Sequence, residues 1–318
     1  MIMKYFLVCN PGSRSGRSRK LISKIRAQLD NAGVEYDSTI TENLDHAFVL
    51  SRDACLDGYD VVTAVGGDGT INRVLNGMYD YDGKRLSDSR LGIIYTGTSP
   101  DFCRSYNIPT GLTEAVRTLL SGKTAPLRCG RICYASHPES AEADTVSYFG
   151  CCSNIGIGAS LARMANNGIR KYAGDFAGTF ISLLRALSAY TPVSLAVTCD
   201  GVLETYSNIL NLSIGKTFYI ASGIKVHNSI ASSEKTFYNL SVTSFSLLRL
   251  PAFLRSIYSG KPIPENGIFS LNTGSAYEIY SPPDQPVEVE CDGDPAGYLP
   301  CTIEPCMDTI DLITRGGI

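Results

Sequence analysis

The amino-acid sequence predicts two domains: an α/β domain with a parallel sheet between two layers of helices over residues 1–126, and a β-sandwich over residues 127–318. Three observations predict this. The chain has 318 residues, more than one hydrophobic core usually serves. Its first third alternates short β-branched runs with segments of helical apolar spacing, the pattern of strands joined by crossover helices. Near Ala125-Pro126 the chain changes to Ser-, Thr-, Tyr- and Val-rich runs separated by turn clusters, as in antiparallel sheets.

Tyr5–Cys9 is an apolar run that stops at the turn residues Asn10-Pro11-Gly12, and is expected to be the first strand. Ser18–Ala32 carries Leu21, Ile22, Ile25 and Leu29 at helical spacing, and Gly33 closes it. Val34–Thr39 is expected as a strand and Leu44–Cys55 as a helix. Val61–Val65 is a β-branched strand ending in Gly66-Gly67-Asp68-Gly69-Thr70, and Ile71–Met78 continues as helix. Leu91–Tyr95 is a strand ending in Thr96-Gly97-Thr98, and Leu112–Ser121 is a helix closed by Gly122. Beyond residue 126, Val193–Cys199, Ile209–Ile214, Tyr238–Val242, Ala276–Tyr280 and Pro286–Glu290 are expected as strands, with Asp200-Gly201 as a hairpin turn. A helical insert is expected over Ser160–Ala189, and the C-terminal tail is expected to pack back on the first domain.

Net charge is −3, so no global basic field exists to hold nucleic acid or an anionic bilayer, and any membrane contact is expected to be local and apolar. Eleven cysteines include no C-x-x-C pair, and only three histidines are present, so a zinc site is not expected. The opening segment lacks a secretory cleavage pattern. The cysteines therefore read as reduced, buried hydrophobes of a cytoplasmic protein. No run of about 18 uncharged apolar residues suggests a membrane span. Phe176–Val197 comes nearest and is broken by Arg185 and Pro192.

Three segments could carry chemistry. Gly66-Gly67-Asp68-Gly69-Thr70 lies where a buried parallel strand hands over to a helix, the end of an open α/β sheet at which ligands bind. Its glycines let backbone approach a phosphate, and the helix N-terminus favours an anion. Asp68 would repel phosphate unless a cation lay between them, which points to magnesium. The plainer alternative is a tight turn in which Asp68 caps the helix. Asn10-Pro11-Gly12-Ser13-Arg14-Ser15-Gly16-Arg17 offers backbone donors, hydroxyls and arginines to a polyphosphate, or is a solvated loop. Gly97-Thr98-Ser99-Pro100-Asp101-Phe102-Cys103-Arg104 ends another strand. Thr98 suits a phosphate or base and Asp101 a metal or substrate pocket, unless the segment is only a capped turn.

Together these segments resemble the diacylglycerol kinase catalytic family, which includes sphingosine kinases and their bacterial relatives. The second continues as Ile71-Asn72-Arg73-Val74-Leu75-Asn76-Gly77, close to the family pattern. Thr41-Glu42 resembles its nucleotide-contacting threonine region. Asn154-Ile155-Gly156-Ile157-Gly158-Ala159, Ala221-Ser222-Gly223-Ile224-Lys225-Val226 and Cys291-Asp292-Gly293-Asp294 resemble its later motifs. The resemblance implies an NAD-kinase-like fold and an ATP- and Mg2+-dependent lipid kinase acting on diacylglycerol or a sphingoid-like alcohol. It implies ATP contacts at Asn10, Pro11, Gly12, Ser13, Thr41, Gly66, Gly67, Asp68, Gly69, Thr70, Asn72, Thr98 and Asp101, with the metal on Asp68. The catalytic base would be Asp294, with Asp292 close by. The protein would meet its lipid substrate transiently at a membrane surface, and a homodimer is left open.

The chain departs from the family at four places. Asp294 stands for a Glu and is shorter by about 1.5 Å. Arg73 stands for an acid and Pro100 for an Asn. Ser232-Ser233-Glu234 replaces an Asp-Asp-Gly segment that binds a structural magnesium in some members, so no second metal is expected. Two alternatives stay open: a kinase of a soluble hydroxyl compound related to NAD kinase, and a nucleotide-binding protein without turnover. A dinucleotide oxidoreductase is disfavoured because no G-x-G-x-x-G follows the first strand.

Overall fold

The computed structural model describes residues 3–12, 18–166, 187, 189–221, 223–261 and 267–316. The first domain contains, in chain order, β1 (Tyr5–Cys9), α1 (Ser18–Asn31), β2 (Tyr36–Ile40), α2 (Leu44–Leu56), β3 (Val61–Gly66), α3 (Asp68–Gly77), β4 (Arg90–Tyr95), α4 (Asp101–Ser105), α5 (Leu112–Ser121) and β5 (Thr124–Leu127).

β1 pairs in parallel with β2 and β3, and β3 with β4. Every residue of the central strand β3 is buried, because helices cover both faces and leave no polar side. Leu7 and Val65 point to one face, where Ile22, Ile25 and Leu29 of α1 meet Ala115 and Leu119 of α5. Val8 and Ala64 point to the other, against Ala47 of α2 and Val74 and Leu75 of α3. Full burial of each larger aliphatic side chain contributes about 1.5–3 kcal/mol. The helix stops follow the expected glycines: Gly33 and Gly122 take positive φ, which a side chain would disfavour.

The second domain contains β6 (Gly130–Ala135), β7 (Thr145–Phe149), β8 (Cys152–Gly156), α6 (Ile157–Asn166), β9 (Val193–Cys199), β10 (Val202–Gly215), β11 (Tyr219–Ile220), β12 (Ile224–Lys225), β13 (Phe237–Thr243), α7 (Leu250–Ile257), β14 (Phe269–Gly274), β15 (Tyr277–Tyr280), β16 (Glu288–Cys291) and β17 (Asp294–Pro305). The main sheet runs β14-β13-β10-β8-β16-β17-β15-β9, and β9 also pairs with β10. That extra pairing closes six strands around Leu195, Val197, Leu212, Ile214, Val289 and Ile303. The β9–β10 turn is Asp200-Gly201, both at positive φ. The expected helical insert is described as α6 and residues 187 and 189; 167–186 and 188 lie outside the described residues. α7 was not expected from the sequence.

The last strand, β18 (Ile310–Ile313), lies in the first sheet, parallel to β4 and antiparallel to β5. The chain thus crosses between domains twice, and Arg128 ties the crossings. Its Nη1 donates to the carbonyls of Cys306 (2.6 Å) and Met307 (2.7 Å), and its Nε to that of Ser233 (3.1 Å). Among the described residues no helix is long and apolar enough to cross a membrane.

Candidate active site

Register gathers the first-domain loops. Cys9 pairs with Val65 and Val65 with Ile94, so β1, β3 and β4 end side by side. Asn10 Nδ2 donates to Thr70 Oγ1 at 2.8 Å, and Asn10 Oδ1 accepts from Gly12 N at 2.8 Å. The Thr96 amide donates to the Gly66 carbonyl at 2.7 Å. A Cβ on Gly66 would stand 2.3 Å from Thr70 Oγ1, and one on Gly97 would stand 2.7 Å from Gly67 Cα. These glycines are required by close packing of loop on loop rather than by φ. Thr41 is buried beside them, its amide donating to the Cys9 carbonyl at 2.8 Å.

Asp68 is the first residue of α3, and the helix cap is Gly67, which has no side chain to offer. Asp68 therefore does not cap the helix. Its Oδ2 accepts from Tyr95 Oη at 2.9 Å, while its Oδ1 is buried without a hydrogen-bond partner among the described residues. Burial pushes this carboxyl up to about 7. The Tyr95 hydrogen bond opposes the rise, and the charges of Asp101 and Asp292 add to it. Burial and Asp68 together push the Tyr95 phenol up, so it remains a donor. No three carboxylate, His or Cys side chains gather as a metal cage among the described residues. Magnesium bound with a nucleotide needs only one or two carboxylates beside the phosphates. The unsatisfied Asp68 Oδ1, in a patch of negative charge, fits that role.

The second domain contributes the β16–β17 hairpin. Its two-residue turn is Asp292-Gly293, both at positive φ, as Asp-Gly favours. Asp292 is fully engaged. Oδ1 accepts from the amides of Cys151 (2.8 Å) and Cys152 (3.1 Å), and Oδ2 from the Gly150 amide (2.8 Å) and Asn72 Nδ2 (3.0 Å). Burial raises its carboxyl, and the donors oppose the rise. Asp294 follows at the start of β17. Its Oδ2 lies 3.0 Å from where a Cβ on Gly69 would stand. The turn thus brings Asp294 to the first domain's glycine-rich loop and commits Asp292 to bracing.

Asn72 and Asn76, one helical turn apart on α3, dock that helix on β7. Asn72 Nδ2 donates to the Tyr148 carbonyl (2.9 Å). Asn76 pairs with the same backbone as a strand would, accepting from Tyr148 N (2.9 Å) and donating to its carbonyl (2.8 Å). Of the other expected ligands, Thr98 is exposed at the β4 loop, and Asp101 is buried in the first turn of α4. Pro11 and Gly12 sit at the surface, and Ser13 lies outside the described residues. Arg73 turns to Asp45 on α2 at 3.7 Å. The Ser233 and Glu234 carbonyls accept from Arg128 and Lys216.

Three residues were missed from the sequence: Tyr95, Asn76 and Glu290. Glu290 is 2% exposed. It accepts from Asn154 Nδ2 and the Gly293 amide. Asn154 in turn accepts from Ser213 Oγ and Asn211 Nδ2, and Asn211 Oδ1 accepts from the Gly158 amide in α6. A partly buried polar chain thus joins the Asp294 turn to α6. Burial pushes Glu290 up to about 8, against its two hydrogen bonds and with the charges of Asp292 and Asp294 adding. The alternation of Glu290, Asp292 and Asp294 was the available signal.

Comparison with known proteins agrees with this architecture. A family model described as the diacylglycerol kinase catalytic domain matches residues 4–132. Another, described as the YegS C-terminal NAD kinase beta sandwich-like domain, matches residues 153–314. A diacylglycerol kinase of Staphylococcus carnosus is 23% identical over 311 residues, 97% of this chain and 94% of that protein. One of Bacillus subtilis is 31% identical over 127 residues, 40% of this chain and 41% of that protein. A solved structure of a putative diacylglycerol kinase from Bacillus anthracis superposes with a TM-score of 0.75 at 20% identity, covering 98% of this chain and 95% of that one. Yeast NADH kinase, complexed with NADH, shares the fold at a TM-score of 0.57 and 9% identity, over 99% and 84% of the chains. With one model over the α/β domain and the other over most of the β-rich domain, the chain belongs to the diacylglycerol kinase catalytic domain family, a family of phosphotransferases.

Proposed function

We propose that the protein transfers the γ-phosphate of ATP to the hydroxyl of a lipid, diacylglycerol or a sphingoid-like alcohol. The observation that supports it most is the approach of the Asp294 carboxylate to Gly69, a potential base from one domain beside the phosphate loop of the other. The N-terminal amides of α3 attract the phosphates, with the Asn10–Thr70 hydrogen bond holding the two loops together. The lipid hydroxyl oxygen attacks the γ-phosphorus in line. Its proton passes to Asp294, and the bond to the β-phosphate oxygen breaks to release ADP. Asp292 takes no proton in this scheme, because four donors occupy its oxygens. Bound magnesium, held by Asp68 Oδ1, would neutralise charge on the transferring phosphate.

The test is transfer of the terminal phosphate from ATP-magnesium to a panel of lipids in mixed micelles, with Asp68→Ala and Asp294→Ala alongside. Phosphate entering one lipid class, and lost in both variants, supports the reading and names the substrate. ATP binding without transfer to any lipid would replace it with a soluble acceptor or a protein without turnover.

A further inference from the structure

The most exposed large hydrophobic side chain among the described residues lies far along the sequence from the glycine-rich loops. Leu248 is 93% exposed, just before α7. From Thr236 to Lys261 the chain has no acidic residue, and it carries Arg249, Arg255 and Lys261, all exposed. None of the three makes an ion pair with a described residue. The segment is firmly seated: Phe253 stacks between Phe245 (4.4 Å) and Phe269 (5.3 Å), and Leu250 and Ile257 are buried. Its outer face therefore presents Leu248, Pro251 and Ala252 beside Arg249 and Arg255 on a fixed frame.

Position connects this face to the site. Tyr258 Oη, just beyond α7, donates to the Ala221 carbonyl at 3.2 Å. β11, which ends at Ile220, is held to α4 by the Tyr219 amide donating to Ser105 Oγ at 3.2 Å. α4 carries Asp101. Charge separates this patch from another exposed apolar site, Val202 (62%) and Leu203 (67%), which Asp200 and Glu204 flank. An apolar tip among acids is repelled by an anionic leaflet. An apolar tip among arginines is attracted to one and can insert.

We propose that Ser244–Lys261 is a docking surface for an anionic lipid bilayer, seating the protein with its α4–β11 side toward the membrane. This rests on the lipid-kinase reading only for its purpose, since docking can be measured without turnover. The full chain is mixed with vesicles of phosphatidylglycerol and phosphatidylcholine, or of phosphatidylcholine alone, and sedimented. Binding to the anionic vesicles, weakened by high salt, is expected. Arg249→Gln with Arg255→Gln should weaken it about 30-fold, and Leu248→Ser about tenfold. Equal binding by wild type and variants, or equal binding of wild type to neutral vesicles, overturns the proposal. A change in solution mass of the variants without vesicles overturns it in favour of contact with a second copy. Docking that follows the expected pattern while no lipid is phosphorylated leaves this inference standing and removes the lipid-kinase reading.

Discussion

Asn72 Nδ2, on a helix of the first domain, donates to Asp292 Oδ2, on a hairpin turn of the second, at 3.0 Å. The same amide reaches the Tyr148 carbonyl, so one side chain fixes α3 to the hairpin that presents Asp294. An intramolecular hydrogen bond contributes a net of about 0.5–1.5 kcal/mol. Asn72→Ala removes two, while the Gly150 amide still serves Asp292 Oδ2 and Asn76 Nδ2 still serves the Tyr148 carbonyl. It should destabilise the protein by about 1–3 kcal/mol, read as a lower urea midpoint, and should reduce phosphate transfer.

Gly69→Ala tests the approach of Asp294. The added methyl would stand 3.0 Å from Asp294 Oδ2 and must push the carboxylate aside. A displacement of about 1 Å can cost on the order of a hundredfold in rate. A fall in kcat of about tenfold to a hundredfold is expected, with little change in urea midpoint. Unchanged kcat would remove Asp294 from the mechanism.

Nucleotide binding should depend on magnesium through Asp68. In the wild type, chelating magnesium should weaken ADP binding measured by calorimetry. In Asp68→Asn the amide keeps an oxygen for Tyr95 but loses the charge that holds the metal. The chelator should then have little further effect.

Glu290 sets a pH dependence of stability. Its folded value is raised to about 8 from 4.5. Between these values the folded chain holds a proton that the unfolded chain releases, so stability falls as pH rises through that window. The slope from one group is at most about 1.4 kcal/mol per pH unit. Glu290→Gln is neutral throughout. Its urea midpoint relative to wild type should therefore rise between pH 4.5 and pH 8, and a flat difference would refute the assignment.

The strand-helix order of the first domain was legible because its signals are local. β-branched runs make buried strands, i, i+3, i+7 spacing makes helices, and glycines accept the backbone that ends them. The glycine-rich turn from β3 to α3 was legible for the same reason, since it lies on consecutive residues. α7 was missed because Pro251 reads as a breaker, yet it stands in the first helical turn, where its missing N–H is not needed. Tyr95 reads as the last residue of an apolar strand, and only the loop packing at Gly97 turns its hydroxyl to Asp68. The family resemblance put the base at Asp294 with Asp292 close by, but no local signal separates the two, which lie two residues apart and are chemically alike. What separates them is contact with residues over 100 positions away: the amides of Gly150, Cys151 and Cys152 and the Asn72 side chain saturate one, while Gly69 leaves room for the other. Sequence determines which groups exist and the local shape of each segment. Which carboxylate meets the glycine-rich loop is decided by hydrogen bonds and steric fit that exist only once the two domains pack.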